Sequence, residues 1–127
     1  MGNEGCPFCP DQFRGRSCIE HGSVFAIKDA SPVSPGHHLI IPRRHVSDFF
    51  DLTPAELADA AGLARRLKAK ILDQDDSVTG FNLGVNMGES AGQTVFHCHI
   101  HLIPRRDGDT PRPRGGVRGV IPDRMDY

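Results

Sequence analysis

Val95-Phe96-His97-Cys98-His99-Ile100-His101-Leu102-Ile103 sets three of the chain's seven histidines at strict alternation, with apolar residues between and after them. A β-strand sends successive side chains to opposite faces, so the pattern predicts a strand with His97, His99 and His101 on one face. Phe96, Cys98, Ile100 and Leu102 are then expected on the other, against a core. One histidine on a strand is ordinarily a hydrogen-bonded structural residue; three in register point to chemistry. A single ion held by all three is at odds with the geometry. At about 3.3 Å of rise per residue, the Cα atoms of His97 and His101 lie roughly 13 Å apart, against Zn–N bonds of about 2.0–2.1 Å. The three rings are therefore expected to divide their work.

Working outward, Met87 to Thr94 is a loop leading into this strand, and Gly88 and Gly92 allow backbone N–H groups to approach a ligand closely. Before it, Phe81 to Asn86 alternates apolar with small or polar residues and predicts another strand. Thr53-Pro54-Ala55-Glu56 is a helix start: Thr53 caps, Pro54 takes the first helical position and Glu56 completes a capping box. Leu57, Ala60, Ala61, Ala64, Leu67 and Ile71 give the helix an apolar stripe to about Leu72, and Arg65, Arg66, Lys68 and Lys70 lie late in it, where they suit its dipole. Val24 to Ile27 and His37 to Pro42 predict a hairpin across the breakers Pro32, Pro35 and Gly36, with Pro42 ending its ladder. After Pro104 the chain is rich in Arg, Gly, Asp and Pro, and little regular structure is expected.

At the other end stands Cys6-Pro7-Phe8-Cys9. A redox dithiol wants a strand before the pair and a helix after it, and neither is visible. Unligated thiols are a second reading, and half of a zinc site is the preferred one. That reading needs two more ligands. With no second CxxC and with Cys18 isolated, histidines are left to supply them.

The chain has 127 residues, 24% of them charged, and a net charge of −1. That is the length of one ordinary domain, with nothing to mark a nucleic-acid or membrane binder. No apolar run approaches a membrane span and no secretory signal is visible, so a soluble, cytoplasmic protein is expected.

Asn86-x-Gly88-x-x-x-Gly92-Gln93-Thr94-Val95-x-His97-Cys98-His99-Ile100-His101-Leu102-Ile103 resembles the signature of the histidine triad (HIT) family. Asp29-Ala30-Ser31-Pro32 and Pro35-Gly36-His37-His38-Leu39-Ile40-Ile41-Pro42 resemble the same family's nucleoside-side strands. The likeness runs over residues 6–120, with Fhit-like and Hint-like enzymes as relatives; Cys98 departs from it, in a slot usually aliphatic. The resemblance implies an α+β fold, with a five-stranded antiparallel sheet, a long helix and a homodimer with a continuous sheet. It implies one domain over 1–127, with a zinc-bound segment at 1–22 and a substrate-proximal tail at 104–127.

The resemblance also implies attack on the α-phosphate of a nucleotide through a covalent nucleotidyl-histidine. His99 would be the nucleophile, its Nδ1 proton held by a backbone carbonyl. His101 would orient the phosphate and help protonate the leaving group, and His37 would tune His101. Asp29 would take the ribose hydroxyls, Ile27 and Ala30 would border the base, and Asn86, Gly92, Gln93 and Thr94 would hold the phosphates. Cys6, Cys9, His45 and His97 would bind one structural Zn²⁺. Two further readings stand beside this one: a nucleotide-binding protein without turnover, and a cupin-like enzyme with a catalytic metal on His99 and His101.

Overall fold

The computed structural model describes residues 5–10 and 18–127, so the rest of the expected N-terminal segment lies outside the described residues. Five strands and one long helix follow in chain order: β1 (Ile19–His21), β2 (Val24–Lys28), β3 (His38–Pro42), α1 (Pro54–Gln74), β4 (Val78–Val85) and β5 (Ile100–Arg106). They form one antiparallel sheet in the order β1-β2-β3-β5-β4. Among the described residues no helix is long and apolar enough to cross a membrane.

Helix α1 starts as its sequence dictates. The Thr53 side chain accepts from the Glu56 N–H and the Glu56 carboxylate accepts from the Thr53 N–H, which completes the capping box. Glu56 is also buried and takes Arg44 through two hydrogen bonds of 3.2 and 2.8 Å. The face of α1 that meets the sheet is Ala60, Leu63, Leu67 and Ile71. Leu63, absent from the stripe read in the sequence, is completely buried, whereas Leu57 is 38% exposed. The basic residues do not reach the last turn of α1, so they do not serve its dipole as expected. Arg66 instead donates to the Glu20 carbonyl and fastens β1 to the helix.

The sheet has a helix-facing core of Val24, Ala26, Ile40, Val78, Ile100 and Leu102. Phe25, Ile27, Leu39 and Ile41 alternate to the opposite face and form a second cluster, onto which Phe8 and Cys18 pack. Since Ile100 and Leu102 face the helix, His101 lies on that second face, opposite Leu39 in register.

The triad strand is shorter at its start and longer at its end than the alternation predicts. It begins only at Ile100, and residues 95–99 are irregular. Phe96, expected in the core, is 50% exposed, while His97 is completely buried. The cause is that His97 and Cys98 are drawn inward to other partners: the Cys98 N–H donates to the Val46 carbonyl and His97 to the Pro42 carbonyl. At its far end β5 runs through Pro104 to Arg106. Strand β3 pairs with β5 only as far as Leu102, so Pro104 sits where one flank has no strand and its missing N–H is tolerated.

Candidate active site and metal-ligand cluster

The irregular approach to β5 gives each triad histidine its own surroundings. His99 is half-buried, and its Nδ1 lies 2.9 Å from the His97 carbonyl oxygen. A carbonyl only accepts, so Nδ1 carries the proton and donates. The neutral ring then keeps its lone pair on Nε2, the form of imidazole that attacks an electrophile.

His37 and His101 form a relay with a defined direction. The Val33 N–H donates to His37 Nδ1 at 3.2 Å, so the proton of neutral His37 is on Nε2. His37 Nε2 lies 3.0 Å from His101 Nδ1 and 3.4 Å from Asp29 Oδ2. His101 Nδ1 thus accepts, and its own proton is left on Nε2. Burial, then the facing rings of His99 and His37, push the His101 pKa below its ordinary value, and Asp29 pulls it partly back. Burial likewise lowers His37. Asp29, His37 and His101 are close enough to be taken for a metal site. The Val33 N–H argues otherwise, because a metal on His37 Nε2 would force the proton onto Nδ1, against that donor.

A separate cluster comprises Cys6, Cys9, His45 and His97. His97 Nδ1 lies 3.4 Å from Cys6 Sγ, 3.5 Å from Cys9 Sγ and 3.2 Å from His45 Nδ1, and Cys9 Sγ lies 3.2 Å from His45 Nδ1. A tetrahedron with Zn–N of about 2.0–2.1 Å and Zn–S of about 2.3 Å has edges of roughly 3.3–3.8 Å, close to these separations. His97 Nε2 donates to the Pro42 carbonyl at 2.7 Å, which leaves the Nδ1 lone pair facing the thiols. The chemistry and geometry fit one structural ion. Cys98 takes no part: burial pushes its thiol up to about 11, and it packs with Val46 and Leu52.

The expected phosphate loop is organised differently from its sequence reading. Gln93 is buried, its Oε1 accepting from the Gly88 N–H at 2.8 Å and its Nε2 donating to the Ser47 and Val95 carbonyls at 3.1 Å each. The side chain expected at the phosphates braces the loop instead. Gly88 and Gly92 have φ of 86° and 91°, which suits only glycine, and their N–H groups bond within the loop. Asn86 is half-buried beside Gly92, and Thr94 is exposed. Asp29 also accepts from the Ser31 N–H, Ile27 belongs to the apolar floor, and Ala30 is exposed.

The HIT domain family matches residues 12–108. The chain belongs to the HIT family. A zinc-bound histidine triad family protein from Mycobacterium smegmatis superposes with a TM-score of 0.74 at 34% identity, over 87% of this chain and 82% of that one. The bis(5′-nucleosyl)-tetraphosphatase [asymmetrical] of Schizosaccharomyces pombe is 40% identical over 66% of the chain, and an HIT-like protein of Mycobacterium tuberculosis is 38% identical over 71%. The chain spans 46% and 62% of those two proteins' lengths, respectively.

Within this HIT domain, sequence reasoning missed three groups at the site. The Val33 N–H and the Pro42 carbonyl are backbone atoms that fix ring tautomers and leave no mark on residue type. Phe8, between the two cysteines, stands with its ring centroid 4.8 Å from that of His99. Its signal was available: an aromatic residue between the two cysteines of the CxxC.

Proposed function

We propose that this HIT domain is a nucleotide hydrolase or transferase acting at an α-phosphate through a covalent nucleotidyl-His99. The observation that carries the reading is the His99 tautomer, with Nδ1 donating to the His97 carbonyl and Nε2 free as a base. Nε2 attacks phosphorus and a P–N bond forms as the bond to the leaving group breaks. His101 Nε2–H donates a hydrogen bond to the phosphate and leaving-group oxygens and so stabilises the charge that builds there as the leaving group departs. Water then cleaves the P–N bond, releases the mononucleotide and restores His99; another acceptor in place of water makes the reaction a transfer. His37 holds the His101 tautomer.

The substrates that fit are dinucleoside polyphosphates such as Ap4A and Ap3A, nucleoside phosphoramidates and adenylated adducts. Ile27 and Ala30 border the base and Asp29 takes the ribose. Asn86, Gly92 and Thr94 line the phosphates, and Gln93 acts through the loop it braces. Cys6, Cys9, His45 and His97 hold one structural Zn²⁺, a role consistent with the cytoplasm, where thiols stay reduced.

A homodimer joined along β4 completes the reading. Strand β4 is a sheet edge eight residues long, Leu83 on it is 54% exposed, and a groove of about 300 Å³ beside it is lined by Phe49, Leu57, Ala61 and Ala64.

Quenching the zinc-loaded protein during turnover of an α-³²P-labelled nucleotide tests the mechanism. Label should remain on the wild-type protein, and His99→Asn should lose both label and turnover. Full activity in His99→Asn would overturn it. Tight nucleotide binding without turnover of any such substrate would mark a binding protein instead.

A further inference from the structure

We propose that Phe8 is a positioning residue for His99, so that the metal-binding turn sets the orientation of the nucleophile as well as stabilising the fold. The proposal rests on the catalytic reading above and deepens it. Phe8 sits between Cys6 and Cys9, whose thiols converge on His97 and His45. Its ring meets the His99 ring at an interplanar angle of 62°, an edge-to-face contact. It also rests on the apolar floor of Phe25, Ile27, Leu39 and Ile41, so its position is fixed from below by the sheet.

Among the described residues, few other groups hold the His99 ring. It precedes the first residue of β5 and lies in the irregular approach to that strand. Its ring has the Nδ1 bond to the His97 carbonyl, the Phe8 edge, and the His101 ring at 5.2 Å. A single hydrogen bond leaves the ring free to rock about it, and the two flanking rings restrict that motion. Two of the three restraints trace to the metal cluster: His97 lends its carbonyl, and the turn from Cys6 to Cys9 carries Phe8. In-line attack on phosphorus is steeply sensitive to orientation, and a misplacement near 1 Å can cost about 10²-fold in rate.

The test compares zinc-loaded wild-type protein with Phe8→Ala and Phe8→Tyr. Zinc content should remain one per chain in all three. Phe8→Ala should lower the single-turnover rate of His99 nucleotidylation about tenfold with nucleotide KM within twofold, and Phe8→Tyr should restore it. In the substrate-free protein, the His99 ring resonances should broaden or split in Phe8→Ala as rotamers interconvert, while those of His45 stay sharp. Should Phe8→Ala fail to fold, Phe8→Leu keeps the apolar bulk and carries the same comparison. A raised KM with an unchanged rate and sharp His99 resonances would overturn the proposal and leave Phe8 as pocket floor. Loss of zinc in both Phe8→Ala and Phe8→Leu would overturn it as well, leaving a merely structural residue. If the wild type takes no label from any nucleotide, the catalytic reading fails, while the resonances, which need no substrate, still decide the orientation of His99.

Discussion

His37 Nε2 donates to His101 Nδ1 across 3.0 Å, and the direction of that bond is set one step further back by the Val33 N–H. A backbone amide thus decides which nitrogen of His101 presents a proton to the site. Replacing His37 with leucine removes the donor, so His101 can carry its proton on Nδ1 and lose the hydrogen-bond donor on Nε2. Turnover should fall by about 10²-fold, the usual scale for losing one oriented donor to a developing charge. Glutamine, which keeps an N–H donor, should lose less. Equal loss in both variants, measured as kcat, would argue that His37 serves packing alone.

Metal loading should stabilise the protein without depending on His99. With free zinc at a hundred times its dissociation constant, linkage adds about 2.7 kcal/mol. The melting temperature of the wild type and of His99→Ala should therefore rise with added zinc, and that of Cys9→Ser should stay flat. Metal lost from His99→Ala would instead favour a catalytic ion on the triad.

Gln93 predicts a loop phenotype. Alanine there leaves the Gly88 N–H and the Ser47 and Val95 carbonyls without their partner, at a cost of about 2 kcal/mol. Glutamate restores the acceptor but not the two N–H donors, so Gln93→Glu should remain destabilised. Thermal unfolding of both variants checks this, and an unchanged melting temperature in both would remove the brace.

Acid stability should carry the mark of Asp75. Hydrogen bonds from Arg106, first, and from Ser77 hold its carboxyl at about 2, below its ordinary 3.8. A depressed folded value stabilises the protein above the unfolded value and is lost as protons bind the folded carboxylate. The contribution is therefore complete above about pH 4 and fades as pH falls towards 2. Asp75→Asn should flatten that part of the stability curve and leave the neutral range parallel to wild type, as denaturant titrations at several pH values would show.

The helix was legible to within two residues because its cap, Thr53 to Glu56, is a local signal, and so was the β2–β3 hairpin around its prolines. The His-Cys-His-Ile-His alternation was legible only in part. From Ile100 onward it is a true strand pattern; at His97 it coincides with metal-ligand geometry, which turns the ring inward for reasons unrelated to the pleat. Strand β1 is three residues long and shows no period. Gln93 looked like a ligand contact because a buried amide and an exposed one are the same letter, and the Ser47 and Val95 carbonyls that engage it lie in the fold. The unequal surroundings of His99 and His101 likewise depend on Val33, Phe8 and Pro42, which the triad motif does not contain.

The late start of β5 separates two kinds of order in one short stretch. The ladder from Ile100 to Arg106 assembles by backbone pairing and apolar burial, while His99, one residue upstream, is arranged by a carbonyl, an aromatic edge and a neighbouring imidazole. A molecule can therefore possess its full complement of sheet and helix, and look native by circular dichroism, while the His99 ring still wanders. The fold and the setting of the His99 ring then rest on different contacts, and the turn from Cys6 to Cys9 contributes to both.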